Sequence, residues 1–156
     1  MTLKTSMPMS DDTVEQLQNL IRINIDSCKG FEQSAETIES ESIAGLFRQI
    51  GRDRRHHAQQ LRNIVSMTDT EAEDSGSIKG SIHRWWLSAR GALNGGDDHV
   101  VLIEAERGED AIKHCYEDAI KDVKEPAVRQ VLTDQYAEVK RGHDTVRDLR
   151  DMVAAS

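Results

Sequence analysis

The fold is decided by residues 14–38, which read VEQLQNLIRINIDSCKGFEQSAETI. Apolar side chains recur along this stretch in alternating steps of three and four, which puts them on one face of a helix with 3.6 residues per turn. The stripe consists of Val14, Leu17, Ile21, Asn24, Cys28, Phe31, Ala35 and Ile38. Asn24 is its one polar member. The stretch therefore predicts a long amphipathic helix, for which Ser10 is a suitable N-cap.

Three more stripes of the same spacing follow along the chain. They cover residues 43–64, 101–119 and 128–153. The polar turn at residues 39–42 and the turn at residues 124–126 are short, so each pair of helices that they join is expected to be an antiparallel hairpin. Pro126 is placed where a proline can open a helix. The sequence therefore predicts an all-α protein built from two helical hairpins.

A long connection separates the two hairpins. It begins as an acidic, aperiodic loop and continues as a short predicted helix at residues 81–93, in which Trp85 and Trp86 are expected to hold it against the body. A connection of roughly 30 residues is long enough to cross a bundle from end to end. We expect a single domain at residues 11–154, preceded by a loose tail at residues 1–10.

Composition narrows the range of functions. The chain has 28 acidic and 20 basic residues and a formal charge of -8, which disfavours nucleic acid as a partner. It has no apolar run of a membrane span and no signal-peptide pattern near its start, so a cytoplasmic protein is expected. Cys28 and Cys115 lie at helix-interior positions, as reduced cysteines that fill a core do, and a buried disulfide or a reactive thiol is the alternative.

A polar layer is predicted halfway along the bundle. Asn24, Arg54 and His57 interrupt otherwise apolar stripes, and a charge in such a position must be compensated because its desolvation costs several kcal/mol. Counting from the turns brings further polar residues of the second hairpin to the same height, namely Glu106, Glu109, Lys140 and His143. We therefore expect salt bridges between the two hairpins at this level.

Several segments resemble the ferritin-like superfamily, and in particular a bacterial four-helix-bundle family described as a domain of unknown function. They are Gly30-Phe31-Glu32, residues 54–61 (RRHHAQQL), Ile82-His83-Arg84-Trp85, residues 106–110 (ERGED) and a histidine in the fourth helix. The resemblance covers nearly all of residues 12–152. It implies a ferritin-like four-helix bundle with the crossover and its short helix between helices 2 and 3.

The resemblance also implies where a di-iron centre would lie, because such members carry inward glutamates and Glu-x-x-His pairs. In this chain the first glutamate position is Asn24. The paired positions read Arg54-x-x-His57 and Lys140-x-x-His143, and Glu109, assisted by Glu106, fits the pattern on the third helix. Cations at two ligand positions would repel a metal ion. The sequence therefore favours a salt-bridge cluster in the core, in which Arg54 and Lys140 neutralise Glu106 and Glu109, and no cofactor.

Two functions follow as hypotheses. The first is a non-enzymatic protein that acts through self-assembly, as a homodimer, or through an unknown protein partner. The alternative is an oxidative-stress protein that binds iron, manganese or zinc at a degenerate site formed by His57, Glu106, Glu109 and His143. A shifted pair, Asp53-x-x-His56, has ligand spacing too, but it lies one step off the apolar stripe.

Overall fold

The computed structural model describes residues 9–68, 72 and 97–155, and in these residues it contains four α-helices and no β-strand. The helices are α1 (Asp11–Thr37), α2 (Glu41–Ser66), α3 (Asp98–Asp122) and α4 (Pro126–Ala155). The prediction of four long helices is confirmed. The predicted short helix at residues 81–93, with Trp85 and Trp86, lies outside the described residues.

Side-chain caps explain where the helices begin. The hydroxyl of Ser10 accepts a hydrogen bond from the backbone N–H of Thr13, and the hydroxyl of Ser40 caps α2 in the same way. Asp97 caps α3 through its carboxylate. Each cap satisfies one of the free N–H groups in a first helical turn. Pro126 is the first residue of α4, as predicted.

Hydrogen bonds between helix ends fix the directions of the helices. The Glu125 carboxylate accepts bonds from the N–H of Ser10 and the hydroxyl of Thr13, which joins the start of α1 to the end of α3. At the other end, the Asp98 carboxylate accepts bonds from the N–H groups of Glu39 and Ser40. Helices α1 and α3 are therefore antiparallel. Since α1 and α2 form a hairpin, α2 and α3 run in the same direction.

The helices form a four-membered ring around one core. Helix α1 packs along α2 and α3 along α4, and contacts between α1 and α3 and between α2 and α4 close the ring. The core is mainly aliphatic, with one aromatic pair in which Phe31 and Phe47 meet edge to face at a centroid distance of 5.2 Å. Among the described helices, none combines the length and apolar character needed to cross a bilayer.

The cysteines differ in their surroundings. Cys28 is buried, as predicted, whereas Cys115 is only partly buried, and neither forms a disulfide bond. The neighbouring Tyr116 occupies the core position instead. Positions three and four residues after Ile112 both lie near the buried face of the helix, and the structure buries the second of them, while Ala119 of the predicted stripe stays buried.

Candidate functional site

A buried ion pair lies in the middle of the bundle. Nη2 of Arg54 on α2 is 2.5 Å from Oε2 of Glu109 on α3, and the exposed fractions of the two side chains are 1% and 0%. Nε of Arg54 and Oε1 of Glu109 have no hydrogen-bond partner among the described residues. Burial raises the pKa of Glu109, while the guanidinium of Arg54 opposes the shift. The pair directly links the two hairpins.

Helix α4 makes room for this ion pair with a glycine. A Cβ atom at Gly142 would lie 2.9 Å from Oε2 of Glu109 and 3.1 Å from Nη2 of Arg54. Both distances are shorter than ordinary carbon contacts, and the charged atoms are enclosed. A side chain at position 142 would therefore press on the ion pair itself.

A chain of hydrogen bonds crosses the core and involves all four helices. The amide of Asn24 donates to the Tyr116 hydroxyl at 2.8 Å, and this hydroxyl donates to the Gln135 side-chain oxygen at 2.8 Å. The Gln135 amide donates in turn to the side chain of Gln60 and the backbone oxygen of His57. Burial raises the pKa of Tyr116, so its hydroxyl stays a donor. The network satisfies polar groups that would otherwise be costly to bury.

His57 is buried beside an acidic residue of α4. Its Nε2 atom is 2.5 Å from Oε2 of Glu138, and its Nδ1 atom has no partner among the described residues. Burial lowers the pKa of His57, while the half-exposed Glu138 carboxylate opposes this shift. We take the burial effect to be larger, because the ring is almost completely excluded from water whereas the carboxylate is screened by solvent.

A second group of ionisable side chains lies on the α3–α4 hairpin. We call Glu106, Asp110 and His143 the acid–histidine cluster, because one potential ligand atom from each lies within 4.8 Å of the other two. Nε2 of His143 is 2.7 Å from Oδ1 of Asp110 and 3.9 Å from Oε1 of Glu106. Nδ1 of His143 is 3.1 Å from Asp144, and Arg150 is paired with Oε2 of Glu106.

The predicted polar residues separate into several groups. Arg54 meets Glu109, as the sequence indicates, and Asn24 is buried at a neighbouring level. The placement of Lys140 in the core is wrong, because this residue is exposed and lies one position beyond the buried Val139. Each step along a helix turns the side chain by about 100°, so Lys140 points away from the core.

The four proposed metal ligands do not form one set. His143 and Glu106 lie within one cluster, whereas His57 contacts Glu138 and Glu109 contacts Arg54. His56 of the shifted pair is exposed.

Sequence reasoning missed important members of both groups. Tyr116 lies next to the cysteine that the heptad pattern selects, and Asp110 is next to the selected Glu109. Asp110 lies four residues after Glu106, a spacing that places two side chains on one face of a helix and could have indicated the cluster. Arg150 lies seven residues after His143, which is also consistent with a shared face. No sequence signal marks Glu138 as the partner of His57.

The described residues thus define an all-α bundle with two polar groups, one in the core and one at the α3–α4 hairpin. The chain belongs to the family known as the domain of unknown function DUF2383, whose sequence profile matches residues 12–122. This match includes α1, α2 and α3, with both Arg54 and Glu109. A search of curated proteins finds none with significant similarity.

We predict that Gly142→Ala lowers the free energy of unfolding by about 1–3 kcal/mol, because the new methyl group presses on the Arg54–Glu109 contact. Urea denaturation measures this change. Gly45→Ala is the matched control, since nothing lies within 4 Å of a Cβ at that helical position. The control should gain up to about 1 kcal/mol from helix propensity. Equal stabilisation by both changes would contradict the proposed steric role of Gly142.

We also predict that His57 makes the folded state less stable in acid. Its pKa is lower in the folded protein than in the unfolded chain, so below about pH 6.5 the unfolded state binds more protons. The stabilising contribution is complete above that pH and decreases as the pH falls toward the folded pKa. The slope has an upper limit of about 1.4 kcal/mol per pH unit.

Urea denaturation of the wild type and His57→Gln at about pH 7.5 and about pH 5.5 tests this effect. Relative to the variant, the wild type should lose stability between the two values. The same comparison for His56→Gln, which changes an exposed histidine on the same helix, controls for the substitution itself. A wild type that gains stability over His57→Gln in acid would show that Glu138 outweighs burial.

Proposed function

We propose that this chain is a ferritin-like bundle protein in which an internal ion pair replaces the di-iron centre, and that it acts without catalysis, through self-assembly or a protein partner. The observation that carries this proposal is the contact between Arg54 and Glu109 at 2.5 Å. Glu109 is the third-helix residue that fits the di-iron pattern. One of its two carboxylate oxygens, Oε2, is paired with a permanent cation.

The electrostatics of the core argue against two metal ions at this level. Arginine stays protonated at every accessible pH, so Arg54 would repel a divalent ion bound to Glu109. Asn24 supplies a neutral amide at the position of the first glutamate, and this amide already takes part in the hydrogen-bond chain with Tyr116. A di-iron centre would need several anionic ligands at this level, and Glu109, which fits the pattern, is already paired with Arg54.

The outer surface suggests the kind of contact that assembly would use. Among the described residues, Met67 and Met152 are the exposed large apolar side chains, and they lie near the ends of different helices. A second copy or another protein would therefore meet a largely polar surface. We retain a homodimer as the expected assembly and a bacterial cytoplasm as the expected setting.

The alternative is an oxidative-stress protein that binds iron, manganese or zinc at a degenerate ferritin-like site. The proximity of Glu106 to His143 supports this alternative. The engagement of Glu109 with Arg54 and of His57 with Glu138 weighs against it, because all four residues would have to turn toward one ion. We therefore give it second place.

We predict that tag-free protein sediments as a dimer and does not accelerate the oxidation of ferrous iron. Sedimentation velocity over a range of protein concentrations measures the oligomeric state. Iron oxidation is measured by adding ferrous iron under nitrogen, admitting air, and comparing the rise in absorbance with that in protein-free buffer. The ion pair should leave the core without a two-iron centre.

Two results would contradict the proposal. Binding of two irons per chain with accelerated oxidation, both lost in Glu109→Ala and His57→Ala, would establish the alternative. A protein that stays monomeric at every concentration would contradict self-assembly. Binding to a protein partner would then be tested by affinity capture. The proteins captured by the wild type would be compared with those captured by a variant with a reversed surface charge, Lys140→Glu.

A further inference from the structure

We propose that the acid–histidine cluster of Glu106, Asp110 and His143 binds one divalent transition-metal ion of the zinc and manganese class at the α3–α4 hairpin. The site does not use the Arg54–Glu109 contact, and it is independent of the proposed function. It differs from the ligand set that the sequence suggests, because Asp110 takes the place of His57 and Glu109.

The geometry of the cluster fits a single ion. Its three donor atoms lie within 4.8 Å of one another, and Nε2 of His143 is 2.7 Å from Oδ1 of Asp110. An ion bound at about 2.0–2.2 Å from each donor requires separations of this order after small side-chain movements. Two carboxylates and one imidazole suit zinc, manganese or ferrous iron, and they leave coordination positions for water.

Two neighbouring side chains orient the ligands. Asp144 lies 3.1 Å from Nδ1 of His143, and an ionised carboxylate can only accept, so Nδ1 must donate and Nε2 faces the two acids. Arg150 is paired with Oε2 of Glu106, which leaves Oε1 on the side of His143. Arg150 is about a third exposed and is also paired with Asp151, so its repulsion of a bound ion is screened, unlike that of the enclosed Arg54. A carboxylate behind a histidine ligand is a recurrent feature of metal sites, because it fixes the ring and makes it more basic.

The buried side of the cluster gives a second, independent indication of a cation. Glu109 is fully buried and keeps Oε1 without a hydrogen-bond partner among the described residues. His143 is itself more than nine-tenths buried, and Glu109 directly precedes the ligand Asp110 in α3. The unpartnered oxygen of Glu109 is therefore an incompletely compensated carboxylate atom next to the cluster, and a bound cation would stabilise it.

Isothermal titration calorimetry with zinc on tag-free, chelator-treated protein tests the proposal. We expect one ion per chain. Asp110→Asn and His143→Gln should each weaken binding by at least about 100-fold, and Asp144→Asn by about 10- to 100-fold. Manganese binding, followed by loss of its free-ion electron paramagnetic resonance signal, should respond to the same variants.

His114→Gln and Asp118→Asn are matched controls, because they remove a histidine and a carboxylate from exposed positions of α3 and should leave the affinity unchanged. Circular dichroism verifies folding. If His143→Gln does not fold, Asp110→Asn still tests the proposal, because Asp110 is half exposed and its substitution disturbs packing less. Three results would overturn the proposal: the wild type does not bind zinc, Asp110→Asn binds as tightly as the wild type, or the control variants lose as much affinity as Asp110→Asn. None of these outcomes bears on dimerisation or on iron oxidation in the core.

Discussion

The structure depends on one constraint, which is that the charge of Arg54 must be neutralised inside the bundle. An unpaired buried charge costs several kcal/mol, which is a large part of the stability of a folded domain, so α2 and α3 are held in the register at which Arg54 reaches Glu109. Helix α4 passes so close to this ion pair that only a glycine fits at position 142 without pressing on the charged atoms. Such a pair specifies an arrangement of helices more than it adds stability.

The sequence predicts the helices well because the cause of each helix is local. Apolar spacing, capping residues such as Ser10 and Ser40, and a proline at position 126 act within a few residues of where they lie. Position around the helix axis is harder to predict. Lys140 and Val139 are adjacent, yet one is exposed and the other buried. Counting from a turn predicts the height of a residue along the helix axis but not the direction of its side chain, which turns by about 100° with each position.

The candidate sites were predictable where burial demands a partner. Arg54 in an apolar stripe requires an acid, and Glu109 is the acid that the structure supplies. The acid–histidine cluster was less predictable, because Asp110 is half exposed and lies at a position that a polar residue can occupy without any function. The two sites differ in their access to water: the Arg54–Glu109 pair is enclosed in the core, whereas the acid–histidine cluster includes the half-exposed carboxylate of Asp110.

A double-mutant cycle on Arg54 and Glu109 tests the central constraint most directly. Unfolding free energies would be measured by urea denaturation for Arg54→Met, Glu109→Met and the double variant. We predict a loss of about 3–5 kcal/mol in each single variant, since each leaves a buried charge unpaired, and a double variant close to the wild type. Losses that simply add in the double variant would contradict the account, because they would show that the two side chains stabilise the bundle independently.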